Sequence, residues 1–221
     1  MNLLLSNLLF LSCLSPMSQR LDTGEQLKNT ALWITLSWDN NSENIWPIGS
    51  THHLWIGDSA TVFGGIQLVP CLDFNAGLIT AEEMTIPLSQ IENLEVPQTI
   101  TVGPHWLPLI QVCEIFIWYG GQSVNALNWP TGFHDAKSLA LAGQWGETHD
   151  HTTSIRLHSS KVLGKRIRLE QRVTLSAENT YHIDIYRDRR LMLWSDLLSS
   201  TDGDAFLETL VRETQVNLLS R

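Results

Sequence analysis

The chain has 221 residues, 43% of them hydrophobic and 17% charged, and a formal net charge of -9. That length buries roughly 70% of the unfolded surface in a folded domain, and the hydrophobic share excludes intrinsic disorder. Twenty-three acids against 14 bases argue against a generic nucleic-acid binder, and no apolar run reaches the roughly 18 residues that a membrane span requires. Three cysteines, Cys13, Cys71 and Cys113, show no CxxC spacing and do not make a disulfide framework.

In chain order, residues 3–14 (LLLSNLLFLSCL) are apolar but have no basic residue before them and no A-x-A-like site after them. Leu4, Leu8 and Leu11 share one helical face, so 1–30 is expected to be an N-terminal helical segment rather than a signal peptide. Pro16 interrupts it. From about residue 31 the period changes to two: Leu32, Ile34 and Leu36 alternate with Trp33, Thr35 and Ser37. Short apolar runs then recur between turn residues, at 52–56, 60–63, 66–72, 84–88, 98–102, 109–119, 138–145, 153–158, 166–175 and 181–186. Pro70 and Pro87 fall inside their runs, which marks edge strands or bulges. Residues 31–193 therefore predict a mainly β domain, an antiparallel barrel or sandwich. Residues 194–221 predict a C-terminal helix with Phe206, Leu207, Leu210, Val211, Thr214 and Leu218 along one side, and Asp202 and Asp204 at its start.

Candidate chemistry is sparse. Gly57-Asp58-Ser59 matches the Gly-Asp-Ser block of one esterase class, but a serine nucleophile needs a histidine base oriented by a carboxylate. That class takes both from Asp-x-x-His, a pattern this chain lacks. The same tripeptide reads equally as a tight turn. His149-Asp150-His151 and His52-His53 are the dense ligand clusters, and each lacks the third and fourth ligands of a zinc site nearby in sequence. Glu82-Glu83 is more readily a turn than a catalytic pair, since adjacent strand residues face opposite ways. Phosphate-binding glycine motifs are absent. No catalytic residue, cofactor or metal is expected.

Two other features stand out. Nine tryptophans are present: Trp33, Trp38, Trp46, Trp55, Trp106, Trp118, Trp129, Trp145 and Trp194. Charge is also segregated, with one base against twelve acids over 29–155 and nine bases against four acids over 156–190. Such a chain attracts copies of itself or a charged neighbour. In strand register Arg166, Arg168 and Arg172 share a face, and Arg187, Arg189 and Arg190 continue the basic stretch. Arginine's planar fork suits pairing with carboxylates of an adjoining subunit.

The order of these features from about residue 20 to 195 resembles the minor tail proteins of tailed bacteriophages and prophages that form the distal ring or hub. The phrases that carry the resemblance are LWITLSWDN (32–40), LWIGDSATVFGGIQLV (54–69) and LDFNAGLITAEEMTIPLSQI (72–91), which closes on Leu88-Ser89-Gln90-Ile91. LIQVCEIFIWYGG (109–121), LAGQWGE (141–147) and TSIRLHSS (153–160) follow. The last are Gln171-Arg172-Val173-Thr174, Glu178-Asn179 and Tyr186-Arg187-Asp188-Arg189-Arg190, the last two standing where the family has Asp-Gln and a Pro-Gly turn. The resemblance implies a non-catalytic β-rich subunit of a trimeric or hexameric ring in the virion, joining the tail tube to hub, baseplate or fibres. The arginines named above, with Trp106, Trp129 and Trp145, are the expected subunit interface, since tryptophan and arginine anchor interfaces. The rival expectation is a secreted or cell-envelope carbohydrate-binding sandwich using Trp106, Trp129 and Trp145 as stacking platforms.

Overall fold

The computed structural model describes residues 29–39, 45–48, 51–71, 84–121, 129–133, 135–148, 150–189 and 202–220. The expected N-terminal helix, Glu82-Glu83, His149, Arg190 and Trp194 lie outside them.

The strands are β1 (Asn29–Trp38), β2 (Ile45–Ile48), β3 (His52–Ile56), β4 (Ala60–Pro70), β5 (Thr85–Asn93), β6 (Ile100–Pro108), β7 (Gln111–Tyr119), β8 (Leu139–Thr148), β9 (His151–Ser159), β10 (Leu163–Thr174), β11 (Thr180–Arg187) and β12 (Gln215–Ser220), with one helix, α1 (Gly203–Glu213). Among the described residues these elements make two sheets. The smaller has the order β12-β11-β1-β6, and the larger runs β10-β7-β4-β8-β3-β2, with β5 also on β4 and β9 also on β8. Neither sheet closes on itself, so of the two expected architectures the sandwich is the one formed.

All pairings are antiparallel except β1 with β11, where Leu32 faces Tyr181 and Ile34 faces Ile183. The two-residue period on β1 is as expected: Leu32, Ile34 and Leu36 are buried and Trp33, Thr35 and Ser37 are not. Residues of both sheets and of α1 join one core, including Ile34, Ile183, Ile66, Ile115, Ile117, Leu141 and Leu210.

The larger sheet is two four-stranded halves, β10-β7-β4-β5 and β2-β3-β8-β9. They meet where Ala60 and Thr61 pair with Ala140 and Leu139. Gly57-Asp58-Ser59 is the kink at which the chain leaves β3 for β4. Here Ser59 is 3% exposed. Its Oγ donates to the Ala142 carbonyl at 3.0 Å and accepts from the Ala142 amide at 2.8 Å. The side chain thus fills the ladder gap between the Ile56–Gly143 and Ala60–Ala140 pairs, which is the turn reading of this tripeptide.

Two runs expected as separate strands, 60–63 and 66–72, are one strand. Gly64-Gly65 is a bulge in β4 rather than a boundary. Gly65 has φ +153, and a Cβ on either glycine would sit within 3 Å of the Trp118 indole. The glycines therefore let a tryptophan lie against the backbone. Pro70 and Pro87 take the expected places, Pro87 on a strand paired only with β4 and Pro70 at a register shift.

The C-terminal helix is shorter than expected. It starts on Asp202, whose side chain accepts from the Asp204 amide, and ends at Thr214, which takes β dihedrals (φ -63, ψ 126). Lys165 Nζ then caps its end by donating to the carbonyls of Arg212 (2.6 Å) and Thr214 (3.0 Å). Leu218 belongs to β12, not to the helix, because six residues gain a full ladder on β11 by leaving it.

Cys71 and Cys113 form a disulfide, a pairing that spacing alone did not reveal. It joins the end of β4 to β7 across a sequence separation of 42. On the chain-entropy account, closing a loop of that length stabilises the fold by about 4 kcal/mol. Cys71→Ser with Cys113→Ser is therefore expected to lower unfolding free energy by about 2–4 kcal/mol in urea. Equal midpoints for the variant and the oxidised parent would refute it.

Candidate functional site

The basic residues grouped by sequence separate into two populations. On β11, Tyr181, Ile183, Ile185 and Arg187 alternate inward. Arg187 is 0% exposed and Arg189 is 1% exposed, so neither belongs to a subunit interface as expected; both are interior residues. The guanidinium of Arg187 pairs with Glu92 of β5 through Nη2 and Oε2, and Nη1 donates to Tyr119 Oη of β7 at 3.3 Å. The same carboxylate oxygen accepts from Trp38 Nε1 of β1 at 3.1 Å, and the Trp38 ring lies 4.7 Å under the guanidinium carbon. Tyr119 Oη also meets Thr214 Oγ1, at the end of α1, at 3.1 Å. Close by, Arg189 Nε donates to Asp39 Oδ1 at 2.6 Å, and the Asp39 amide donates to the Arg187 carbonyl at 2.9 Å.

Burial pushes the Glu92 carboxyl above its ordinary range, against the pull of Arg187 and Trp38, and burial likewise raises the Tyr119 phenol. Perturbed groups of this kind are candidates for chemistry only where they line a cleft. These are sealed between the sheets, so the network holds the fold together. Register parity was the signal for it: Arg187 stands two residues beyond Ile185 and four beyond Ile183 on one strand.

The other population faces outward. Arg166, Arg168 and Arg172 are exposed on β10, an edge strand of the larger sheet, as strand register predicts. Arg166 approaches Glu114 at 3.5 Å. Between Arg168 and Val173 the pairing with β7 shifts, and the intervening residues bulge from the ladder.

The three tryptophans are not brought together. Trp106 is 65% exposed on β6, an edge of the smaller sheet. Trp129 is half-buried and donates from Nε1 to the Phe133 carbonyl at 3.1 Å. Trp145, on β8, is half-buried with its ring 5.5 Å from His52. They supply no common stacking platform.

Ser59 spends its hydroxyl on Ala142, and among the described residues no histidine is hydrogen-bonded to it. Among the described residues no group of three or more His, Cys, Asp or Glu is placed to hold a metal ion, and no helix is long and apolar enough to cross a membrane.

Among the described residues an open groove of about 620 Å³ runs across β3, β8 and β9. Trp55, Gln144 and Ser154 form one outward cross-strand row, and Gly57, Ala142 and Arg156 form the next. Glu95 closes one side. Sequence reading missed this site because its members come from three strands and a loop, and the glycine and alanine that hollow it carry no chemistry of their own.

The buried network yields a double-mutant prediction. Arg187→Met strands the Glu92 carboxylate in the core, and Glu92→Gln strands the guanidinium, so each single change is expected to cost about 3–5 kcal/mol in urea unfolding. The double variant is expected to recover a large part of that loss; additive losses would show that the two groups act independently.

Compared with protein-family models, curated proteins and solved structures, the chain matches none.

Proposed function

We propose that this chain is a structural subunit of a phage or prophage tail tip, assembled with copies of itself into a ring in the virion. Its neighbours on this reading are the tail tube and the hub or fibre proteins, and it carries out no catalysis.

The observation that carries the reading is the outward arginine set on an edge strand: Arg166, Arg168 and Arg172 on β10. A chain of net charge -9 that gathers exposed guanidinia on one edge offers its acidic surface elsewhere a complementary face, and heterologous contact of that kind generates rings when the rotation closes. Trp106 adds a large exposed aromatic on an edge of the other sheet, the residue type that anchors interfaces. The order of sequence phrases shared with tail-tip proteins points the same way. The Cys71–Cys113 disulfide fits an assembly exposed outside the cytosol.

The test is the mass and shape of the full chain in solution, by light scattering and negative-stain imaging. A ring of several copies is expected. Arg166→Gln with Arg168→Gln and Arg172→Gln is expected to dissociate it while circular dichroism shows the β fold retained, since each exposed substitution usually alters folding by within about 0.5 kcal/mol. A wild-type chain that remains a monomer, alone and in the particle, overturns the reading.

A further inference from the structure

We infer that the groove across β3, β8 and β9 is a binding site for a neutral saccharide, independent of whether the chain forms a ring. Its shape comes from missing side chains. Gly57 and Ala142 leave the sheet surface bare between Trp55 on one side and Arg156 on the other. The volume, about 620 Å³, falls in the range of small-ligand sites, roughly 300–1,000 Å³.

The chemistry of the walls is specific. Trp55 stands outward and half-buried between buried Leu54 and Ile56, its ring 5.7 Å from that of His53. It contributes indole surface at the groove wall, an apolar surface of the kind that suits the C–H face of a pyranose. Beside it the polar groups have hydrogen-bonding capacity to spare. Gln144 Oε1 accepts from Thr152 Oγ1 at 3.1 Å, which leaves its amide N–H groups for a ligand. The Ser154 hydroxyl and the Glu95 carboxylate have no partner among the described residues. Arg156 gives Nη2 to the Thr131 carbonyl at 3.2 Å and lies 4.0 Å over the Phe133 ring, with further N–H donors uncommitted.

Sugar hydroxyls each donate and accept, so a site for them needs both kinds of group beside an apolar plate. One carboxylate and one guanidinium offset each other, which favours an uncharged ligand over an acidic one.

The site is also pre-shaped, which lowers the cost of ordering it on binding. Asp58 Oδ2 accepts from the Thr131 amide at 3.1 Å, so the kink after β3 fixes the turn whose carbonyl holds Arg156. Gly132, at φ +81, lies so close to that guanidinium that a Cβ there would stand 2.5 Å from Nη2. The Gly57-Asp58-Ser59 tripeptide, inert as a nucleophile, thus sets both the floor and the rim of the groove.

The experiment titrates the full-length protein with maltohexaose, cellohexaose and chitohexaose at millimolar concentrations, by calorimetry and saturation-transfer NMR. At least one is expected to bind, and Gln144→Ala and Ser154→Tyr, both at exposed strand positions, are each expected to weaken it about tenfold or more. Circular dichroism melting of the two variants shows that the fold is intact. Absence of binding by all three sugars, or binding that both variants retain in full, overturns the inference.

Discussion

Taking an arginine and a glutamate out of water costs several kcal/mol per ion even after the protein relaxes. This fold accepts that cost at the junction of its two sheets and helix. Arg187 belongs to the smaller sheet and Glu92 to the larger. Trp38, Tyr119 and Thr214 bring in β1, β7 and the end of α1. An apolar core tolerates sliding of one sheet over another, because one aliphatic contact resembles the next. A guanidinium that holds Glu92 with one nitrogen and Tyr119 with another, in fixed donor directions, does not. The network therefore sets how the sheets are aligned, while Ile34, Ile115, Ile117 and Ile183 supply most of the burial.

That division explains what was legible beforehand. Period-two alternation located β1, β3 and β7 to β11 closely, because each has an inner face that water excludes. It failed where local signals contradict tertiary ones. Gly64-Gly65 looks like a break and is a bulge shaped to admit Trp118. Leu218 sits at helical spacing from Leu210, Val211 and Thr214, yet Thr214 turns the chain onto β11 as β12. A free ladder edge offers six residues more hydrogen bonding than a fraying helix end. The groove was illegible for a different reason: Trp55 is remote in the chain from Gln144, Ser154 and Arg156 and becomes their neighbour only through cross-strand register.

The basic stretch was half legible. Composition alone grouped nine cations over 156–190, but strand parity separates them into inner and outer members. Arg187 and Arg189 neutralise Glu92 and Asp39 inside the protein, Lys165 caps a helix, and Arg156 is clasped by the 131–133 turn. What faces solvent along the β10 edge is the smaller set of Arg166, Arg168 and Arg172, so the outward field is more local than the sequence implies.

Localisation of that field bears on how a neighbour is recognised. Exposed charges act over about 8–10 Å at ordinary ionic strength. On the proposed reading, a compact arginine set on one edge strand would select a partner by register along that strand and contribute little attraction elsewhere. The bulge between Arg168 and Val173 sharpens this, because it breaks the even spacing of the edge and offsets Arg172 from the ladder that Arg166 and Arg168 continue. An irregular edge is also a poor template for indiscriminate strand addition. If the chain assembles as proposed, the same local feature would favour one specific neighbour while discouraging uncontrolled stacking, the combination that a closed assembly requires.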